Sequence, residues 1–256
     1  MKGKTAIVTG AAGGIGAAVV RGLGERGVRV AAVDRDAGRL GETVRRASAA
    51  GAAVEAFVAD VTSAESVEAL VDAVEHRLGP VGYLVNAAGV LRLGEARKLT
   101  DEDWAGTFAV NTTGVFQVSR AVANRMVERA GGAIVTVASN AAGTPRTGMA
   151  AYAASKAAAT MFTKCLGLEV ARYGIRCNVV APGSTDTPML TSMWRDESDR
   201  RGTVEGRLDA YRVGIPLGRV ASPATVADSV VFLLSDQASH ITLHALTVDG
   251  GASLGV

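Results

Sequence analysis

The feature of this chain that most restricts its fold is the alternation of short apolar runs with longer amphipathic segments. The apolar runs are rich in Val, Ile and Ala, and each ends in turn-forming residues: KTAIVTG, RVAAVD, AVEAFVAD, YLVNAAG, AIVTVAS, RCNVVAPG and ALTVDGG. Such runs are typical of parallel strands that are buried on both faces of a sheet. Between them lie segments of helical length, as at residues 64–78, where Val67, Leu70 and Val74 recur at helical spacing. The order predicts an α/β fold built from repeated βαβ units.

We therefore expect a single-domain, Rossmann-type doubly wound parallel sheet with helices on both faces. A chain of 256 residues with 48% hydrophobic content can bury one full core, so one domain should span residues 1–256. One segment interrupts the alternation, because residues 187–211 combine many charges with Met and Trp. We interpret this segment as a short helical substrate lid within about residues 186–212.

Composition and charge argue against several classes of function. The net charge is +2 and no basic run is interleaved with aromatic residues, so nucleic acid is not an expected partner. The first residues lack the features of a signal peptide and no apolar run is long enough to span a bilayer. We therefore expect a cytoplasmic protein without a membrane partner. Cys165, Cys177 and the histidines lack the spacing of a metal site, so we expect no metal and two free, buried thiols.

The first strand leads directly into a glycine-rich turn, TGAAGGIG, at residues 9–16. In such a turn Gly10 permits the tight bend, Gly14 lets backbone N–H groups approach a pyrophosphate, and Gly16 lets the following helix pack closely. The positive end of the helix dipole then faces the anion. An ordinary strand-to-helix turn also explains the glycines, so the prediction of a dinucleotide site needs support from the neighbouring strands.

The second and third strands supply that support, because each ends in a carboxylate. Asp34 can accept hydrogen bonds from an adenosine ribose and repels a 2′-phosphate, which favours NAD over NADP. Arg35 follows it and either lies against the adenine or contacts a 2′-phosphate. Asp60 and Val61 are placed to contact the adenine edge, although a helix N-cap explains Asp60 almost as well.

A tyrosine and a lysine four residues apart form the candidate reaction centre. In YAASK, Tyr152 and Lys156 lie on one face of a helix, one turn apart. A free phenol has a pKa near 10, about three units too high for an efficient base at neutral pH, and a nearby ammonium group stabilises the phenolate. We therefore predict that Lys156 lowers the pKa of Tyr152, while Ser139, at the end of the preceding strand, holds a substrate oxygen. A solvated helix face is the alternative, but the surrounding AAYAASKAAA is small and apolar.

The sequence also contains NAAG at residues 86–89, Asn111 and PGSTDT at residues 182–187. Together with the motifs described above, they make the chain resemble the short-chain dehydrogenase/reductases over essentially its whole length. The resemblance implies a catalytic group of Asn111, Ser139, Tyr152 and Lys156, in which Asn111 supports a water-linked proton relay from Lys156. It also implies a homotetramer. The predicted dinucleotide contacts are Gly10, Gly14, Ile15, Gly16, Asp34, Arg35, Asp60, Val61, Asn86, Gly89, Tyr152, Lys156, Pro182, Gly183, Thr185 and Thr187. Of these, Lys156 is expected at the nicotinamide ribose, and Thr185 and Thr187 at the carboxamide.

Longer stretches, among them NAAGVLRLG, TPRTGMAAY and RCNVVAPGSTDTPM, are similar to a narrower group. These are the 2,3-dihydro-2,3-dihydroxybenzoate dehydrogenases of catechol siderophore biosynthesis. In that group a cyclohexadiene diol carboxylate loses hydride from a carbinol carbon to NAD, and the dienone tautomerises to the aromatic catechol. The resemblance implies the same NAD-dependent oxidation here, in siderophore or natural-product biosynthesis.

The chain departs from that group directly after the catalytic serine. The group commonly reads Asp-Ala-Ala-His there, whereas this chain has Asn140, Ala141, Ala142 and Gly143. The departure motivates an alternative substrate, trans-2,3-dihydro-3-hydroxyanthranilate, which carries an amine in place of the 2-hydroxyl and gives 3-hydroxyanthranilate. Asn140 offers a donor as well as an acceptor for that position. A dinucleotide-sensing regulatory protein is a third interpretation, although such relatives usually lack the tyrosine and lysine pair.

Both candidate substrates carry a carboxylate, so arginines near the reaction centre are informative. Arg146 lies between Ser139 and Tyr152 in sequence, and its planar guanidinium offers a charge-assisted pair to a carboxylate. A surface turn or a subunit contact is the alternative role for Arg146, and Arg92 is the rival carboxylate ligand. The predicted substrate contacts are Ser139, Asn140, Arg146, Met149 and Leu91, with Met189, Met193 and Trp194 as further apolar wall residues.

Overall fold

The computed structural model describes residues 1–255 and contains one large parallel sheet. The strands are β1 (Thr5–Thr9), β2 (Arg29–Asp34), β3 (Val54–Val58), β4 (Val81–Asn86), β5 (Gly132–Val137), β6 (Ile175–Pro182), β7 (Gly206–Arg207), β8 (Arg212–Val213) and β9 (Ala245–Val248). In the sheet the order is β3-β2-β1-β4-β5-β6-β9, while β7 and β8 form a separate antiparallel pair. The seven predicted strands are all present and parallel, which confirms the predicted fold class.

The apolar runs cover both faces of the sheet. In β1, Ala6 and Val8 point into one core and Ile7 into the other, and all three are fully buried. A central strand with helices on both faces needs apolar side chains at consecutive positions, which explains these runs. The edge strands are different, because Ala56 and Val58 of β3 are exposed and no residue of β9 is buried. The prediction of buried strands is therefore wrong for β9 and for the exposed residues of β3.

Helices pack on both faces of the sheet. They are α1 (Gly14–Gly24), α2 (Ala37–Ala49), α3 (Ala64–Leu78), α4 (Asp101–Phe108), α5 (Val115–Glu128), α6 (Ala150–Val170), α7 (Pro188–Thr191), α8 (Glu197–Glu205) and α9 (Pro223–Leu234). The buried residues of α1, α2 and α9 share one core, and those of α3, α5 and α6 share the other. In residues 1–255 no helix combines the length and the apolar character that crossing a membrane requires.

The lid is helical only in its first part. Helices α7 and α8 follow β6, but Gly206 then ends α8 with a φ of 91°, a conformation that glycine adopts without strain. Strands β7 and β8 follow as a short hairpin. The prediction of a helical lid is therefore wrong for the strands of this hairpin, which flank a short 3₁₀ turn at Leu208–Ala210.

One of the two thiols also differs from the prediction. Cys177 in β6 is buried, but Cys165 is exposed. In α6 the buried neighbours of Cys165 are Thr163 and Gly167, so the helix turns Cys165 away from the core.

The strand order creates a crevice at one edge of the sheet. Strands β2 and β3 lie on one side of β1, and β4, β5 and β6 on the other. At such a reversal the connections leave the sheet in opposite directions and open a crevice at the carboxyl ends of the strands. The glycine turn after β1 and the NAAG segment after β4 therefore border the same crevice.

Candidate active site

Two adjoining clefts run along the carboxyl edge of the sheet. The glycine-turn cleft, of about 380 Å³, is lined by the turn after β1 and by the ends of β2 and β3. The lid cleft, of about 270 Å³, is lined by the segment after β5, the start of α6 and the lid. Ile15, Gly89 and Thr187 belong to the walls of both clefts, so the two form one continuous groove.

The glycine turn has the geometry that its sequence predicts. Gly10 has a φ of 70°, and a Cβ there would lie 2.6 Å from the carbonyl oxygen of Ala87. A Cβ on Gly16 would collide with the carbonyl oxygen of Gly10, so helix α1 packs against the turn only because Gly16 has none. Helix α1 begins at Gly14, and its first residues line the cleft. Its N-terminus therefore faces the space where an anion would bind.

Thr9 is a structural residue of this turn that sequence reasoning missed. Its hydroxyl accepts hydrogen bonds from the N–H groups of Ala87 and Ala88 at 3.1 and 3.2 Å. It also donates to the carbonyl oxygen of Val85. The end of β1 is therefore joined to the NAAG segment, and the only signal in the sequence is a polar residue that ends an apolar run.

The carboxylates predicted at the strand ends both line the glycine-turn cleft. The oxygens of Asp34 accept hydrogen bonds from the backbone N–H groups of Ala12 and Asp36, each at 3.1 Å. Asp60 accepts from the backbone and the hydroxyl of Thr62, and these two hydrogen bonds lower the pKa of Asp60. The N-cap of α3 is Ser63. The N-cap interpretation of Asp60 is therefore wrong, whereas Val61 lines the cleft beside it as expected.

Two arginines border the same cleft as Asp34. Arg35 was predicted there, and Arg39 was not. The guanidinium of Arg39 lies over the turn, because a Cβ on Gly13 would be 2.7 Å from its Nη2 atom. Three carboxylates, of Asp34, Asp36 and Asp60, and two guanidinium groups thus line this cleft together, so the selectivity between NAD and NADP depends on their balance.

Asn86 lies outside both clefts. It is buried, and its amide donates to the hydroxyl of Ser119 at 2.9 Å, with a longer contact to Thr136 at 3.4 Å. These bonds tie β4 to α5 and β5. The prediction that Asn86 contacts the dinucleotide is therefore wrong, because at its position in β4 the side chain points towards α5.

Asn111 lies in a π-helical turn between α4 and α5, a feature that often occurs at functional sites. It is fully buried and holds both backbone groups of Val90, each at 2.9 Å, and it donates to the hydroxyl of Ser155. A Cβ on Gly89 would lie 3.4 Å from the Oδ1 atom of Asn111 and 3.4 Å from Nζ of Lys156. Asn111 and Lys156 therefore border one small space, and the proton relay between them stays a prediction.

Ser139, Tyr152 and Lys156 come together in the wall of the lid cleft. Tyr152 and Lys156 lie on one face of α6, and the exposed fractions of the three residues are 8%, 9% and 5%. Nζ of Lys156 donates to the carbonyl oxygen of Val137 at 2.9 Å and lies 5.9 Å from the centre of the Tyr152 ring. The arrangement places a phenol, a hydroxyl and an ammonium group around one buried point.

Burial governs the protonation of this group. It raises the pKa of Tyr152, with the Ser139 hydroxyl acting in the opposite direction, and it lowers the pKa of Lys156 to about 8. Removal from water disfavours the charged form of both groups, so the pKa of Tyr152 is raised overall, and the stabilisation of its phenolate by the Lys156 ammonium stays a prediction. Tyr152 is therefore a protonated phenol at neutral pH, and Lys156 can exchange a proton close to neutral pH.

The predicted substrate residues line the lid cleft, with two exceptions. Ser139, Asn140, Arg146, Met149, Leu91, Met189 and Met193 are all in its wall. Arg92 is not, because its exposed guanidinium faces Asp103 at 3.8 Å. Trp194 is also outside, since its indole N–H donates to Thr203 and holds the lid together. Arg146, and not Arg92, is therefore placed to contact a substrate.

The two departures after Ser139 have different surroundings. Nδ2 of Asn140 donates to Oδ2 of Asp249 at 3.0 Å, which uses one of its two N–H groups and fixes the direction of the amide. Gly143 is exposed, and a Cβ there would meet nothing within 4 Å. Of these two departures, only Asn140 lies in the wall of the lid cleft.

Sequence reasoning missed the residues that distant segments bring to the lid cleft. Arg207 and Arg212 come from the hairpin of the lid, and Ala252 from the segment after β9. Asp249 lies beside them and accepts from Asn140, Gly251 and Ser253. The charges in the lid sequence were visible, but nothing local showed which of them faces the cleft.

A phenol that can exchange a proton with an alcohol lies where a dinucleotide-shaped cleft meets a small, partly apolar one. That arrangement defines a dehydrogenase of the dinucleotide-binding α/β class. A family model for short chain dehydrogenases matches residues 4–198. The protein belongs to the short-chain dehydrogenase family, whose members use NAD or NADP.

Two curated relatives and one solved structure are similar over nearly the whole chain. The 2,3-dihydro-2,3-dihydroxybenzoate dehydrogenase of Bacillus subtilis (strain 168) is 53% identical over 256 residues, covering 100% of this chain and 98% of the relative. The protein of the same name from Escherichia coli (strain K12) is 44% identical over 253 residues, covering 99% and 98%. The crystal structure of an actinorhodin polyketide ketoreductase with NADPH has a TM-score of 0.91 at 38% identity, covering 98% of this chain and 97% of that one.

Proposed function

We propose that the protein oxidises 2,3-dihydro-2,3-dihydroxybenzoate to 2,3-dihydroxybenzoate with NAD, in siderophore or natural-product biosynthesis. The observation that carries the proposal is the position of Arg146 in the same cleft wall as Ser139 and Tyr152. In the described part of the chain its guanidinium has no carboxylate within 4 Å and has only a long contact, 3.5 Å, to the carbonyl oxygen of Ala252. A cation beside the reaction centre favours a substrate with a carboxylate. Identity of 53% and 44% to two relatives of that name supports the same substrate.

The glycine-turn cleft fits a dinucleotide. Because Gly10 and Gly16 lack a Cβ, the turn packs closely against the backbone at Ala87, and α1 packs closely against the turn. The N-terminus of α1 opens on the cleft. Asp34, with both oxygens already held by backbone N–H groups, is placed to accept from ribose hydroxyls, which favours NAD. When bound, NAD supplies the acceptor for the hydride that leaves the carbinol carbon.

The residues around the lid cleft handle the proton. Ser139 holds the carbinol oxygen, and the phenolate form of Tyr152, a small fraction at neutral pH, takes the proton from that oxygen as the carbon is oxidised. Lys156, held at the carbonyl oxygen of Val137, supports the developing phenolate charge of Tyr152. Asn111 fixes the backbone at Val90 and so keeps the space beside Lys156 open.

The chemistry of the product makes the oxidation one-way. Loss of hydride from the carbinol carbon and of a proton from its oxygen leaves a dienone. Transfer of the proton from the neighbouring ring carbon to the new carbonyl oxygen then gives an aromatic catechol. The resonance energy gained in that step makes the reverse reaction strongly unfavourable, so the equilibrium lies on the side of the catechol.

The test is to offer the purified protein NAD with the two candidate dihydro acids in parallel. We expect NADH formation with 2,3-dihydroxybenzoate as the aromatic product, at a higher kcat/KM than with trans-2,3-dihydro-3-hydroxyanthranilate. A higher kcat/KM with trans-2,3-dihydro-3-hydroxyanthranilate would instead identify that compound as the substrate. NAD binding without turnover of either acid would instead favour the interpretation as a dinucleotide-sensing regulatory protein.

The assembly that we propose is a homotetramer. Exposed apolar side chains on α4, α5 and α6 support it, because Trp104, Phe116, Met161 and Leu168 are 46%, 38%, 60% and 71% exposed. Apolar surface of this kind is typical of subunit contacts. Sedimentation equilibrium at several protein concentrations gives the mass directly, and a monomer throughout would contradict the proposal.

A further inference from the structure

Three guanidinium groups line the lid cleft, and they differ in their partners. Arg146 comes from the segment after β5, and Arg207 and Arg212 come from the lid hairpin. Arg207 is neutralised, because it forms ion pairs with Asp209 at 2.6 Å and Asp199 at 3.7 Å. The other two form no such pair with any described residue.

Arg212 is held in a position that is unfavourable for a cation. It lies directly opposite Arg207 in the hairpin, and like charges at opposite positions of a strand pair destabilise it. The side chain is partly buried, and its Nη2 atom donates to the hydroxyl of Ser184 at 2.9 Å. Burial lowers the pKa of Arg212, and the charges of Arg146 and Arg207 lower it further.

Arg146 lines the same cleft and lies near enough to Arg212 for its charge to lower the pKa of Arg212. The acid nearest to Arg146 is Asp249, whose charge raises the pKa of Arg146 against the effect of burial. The oxygens of Asp249 already accept hydrogen bonds from Asn140, Gly251 and Ser253. Asp249 therefore offers Arg146 a distant charge but no direct ion pair.

Two cations without acid partners in one small cleft indicate a binding site for an anion. Both groups line the lid cleft with Ser139 and Tyr152, and neither lines the glycine-turn cleft. The phosphates of a dinucleotide are expected at the glycine turn, so we assign the anion to the substrate. The substrate ring shares the lid cleft with the predicted nicotinamide contacts Lys156, Thr185 and Thr187.

We propose that Arg212 of the lid and Arg146 of the segment after β5 bind the substrate carboxylate together. The proposal rests on the proposed function and extends it, since it assigns substrate recognition to a lid residue. Because Arg212 also holds Ser184, in the loop that leads to Thr185 and Thr187, the carboxylate joins the lid to the loop after β6. Removal of the Arg212 guanidinium should therefore weaken binding of the acid and leave binding of an uncharged ring unchanged.

The experiment measures binding of two probes, 2,3-dihydroxybenzoate and catechol, which differ by the carboxylate alone. Titration calorimetry with the full chain in the presence of saturating NAD gives the Kd of each probe. The variants are Arg212→Ala, Arg212→Lys, Arg146→Ala and the double Ala variant, with Arg200→Ala as the control. Arg200 is a matched control because it lies on α8 of the lid and pairs with Glu197, outside the cleft.

For the wild type we expect the acid to bind at least tenfold more tightly than catechol. Arg212→Ala should reduce the ratio of the catechol Kd to the acid Kd by about tenfold, because only the binding of the acid weakens. Arg212→Lys should recover part of this ratio. The double variant should lose the preference, and Arg200→Ala should keep it. An unchanged ratio in Arg212→Ala, an equal loss for both probes, or a wild type without preference would overturn the proposal.

Turnover of the dihydro acid is measured separately, so the two proposals can fail independently. NADH formation by the wild type with an unchanged probe ratio in Arg212→Ala would reject the role of Arg212 and keep the function. A carboxylate-dependent probe ratio without turnover of the acid would reject the function and keep the anion site.

Discussion

The two halves of the groove are held in place in different ways. The glycine-turn cleft is lined by the turn after β1 and by the ends of the neighbouring strands, and three carboxylates, of Asp34, Asp36 and Asp60, accompany its two guanidinium groups. The wall of the lid cleft combines the segment after β5 with the lid and the segment after β9, and its charged residues are all cations. The first half therefore contains acids as well as cations, whereas the second half gains a negative charge only from a ligand. The cofactor side is therefore general, and the lid side carries the specificity.

The largest effect is expected where the two halves meet. Tyr152→Phe removes the hydroxyl that takes the substrate proton, so kcat should fall by roughly 10²–10⁴-fold while the Kd for NAD stays the same. Stopped-flow or steady-state NADH formation and a separate NAD titration measure the two quantities. A kcat close to that of the wild type would reject the assignment of Tyr152.

Arg146→Ala should act on the lid side alone. Loss of a charge-assisted hydrogen bond to the substrate carboxylate should reduce kcat/KM by about ten- to a hundredfold, with no change in NAD affinity. Arg92→Ala is the matched control, because Arg92 faces Asp103 outside the cleft and should change kcat/KM by less than about twofold. Equal losses of kcat/KM in Arg146→Ala and Arg92→Ala would contradict the assignment of the carboxylate contact to Arg146.

Asp34→Ala should act on the glycine-turn side alone. Without the Asp34 carboxylate, the ribose hydroxyls lose an acceptor and a 2′-phosphate loses one repelling charge beside Arg35 and Arg39, so the preference for NAD over NADP should narrow by about tenfold. The ratio of kcat/KM with the two cofactors measures the effect. If the ratio stays constant, Asp34 has only the structural role of holding Ala12 and Asp36.

The pH dependence tests the buried group between the halves. Because the pKa of Tyr152 is raised, the phenolate fraction is small at neutral pH and grows as pH rises. Because the pKa of Lys156 is about 8, the ammonium that supports the phenolate is lost above that pH. We expect kcat/KM for oxidation to rise severalfold per unit up to about pH 8 and less steeply beyond it. A flat profile between pH 6 and 8 would contradict the role of Tyr152 as the base.

Much of the fold and of the cofactor side could be predicted because it depends on local patterns. The apolar runs predicted all seven strands of the sheet, and α3 occupies the residues whose spacing predicted it. Gly10 and Gly16 have the predicted roles because each acts within its own turn. The wrong predictions concern side chains whose direction depends on an element far away in the sequence. Asn86 points to α5, and the position of Arg92 beside Asp103 depends on the packing of α4.

The sequence by itself determined the parallel sheet, the glycine turn and the group of Ser139, Tyr152 and Lys156, since periodicity and short spacing are properties of neighbouring residues. Only the tertiary structure decided that Arg212 faces the same cleft as Arg146, and that Asn140 donates to Asp249. It also decided the direction in which burial shifts the pKa of Tyr152. Burial, charge proximity and hydrogen-bond competition arise between segments that are far apart in the chain, and the lid cleft is made of such segments.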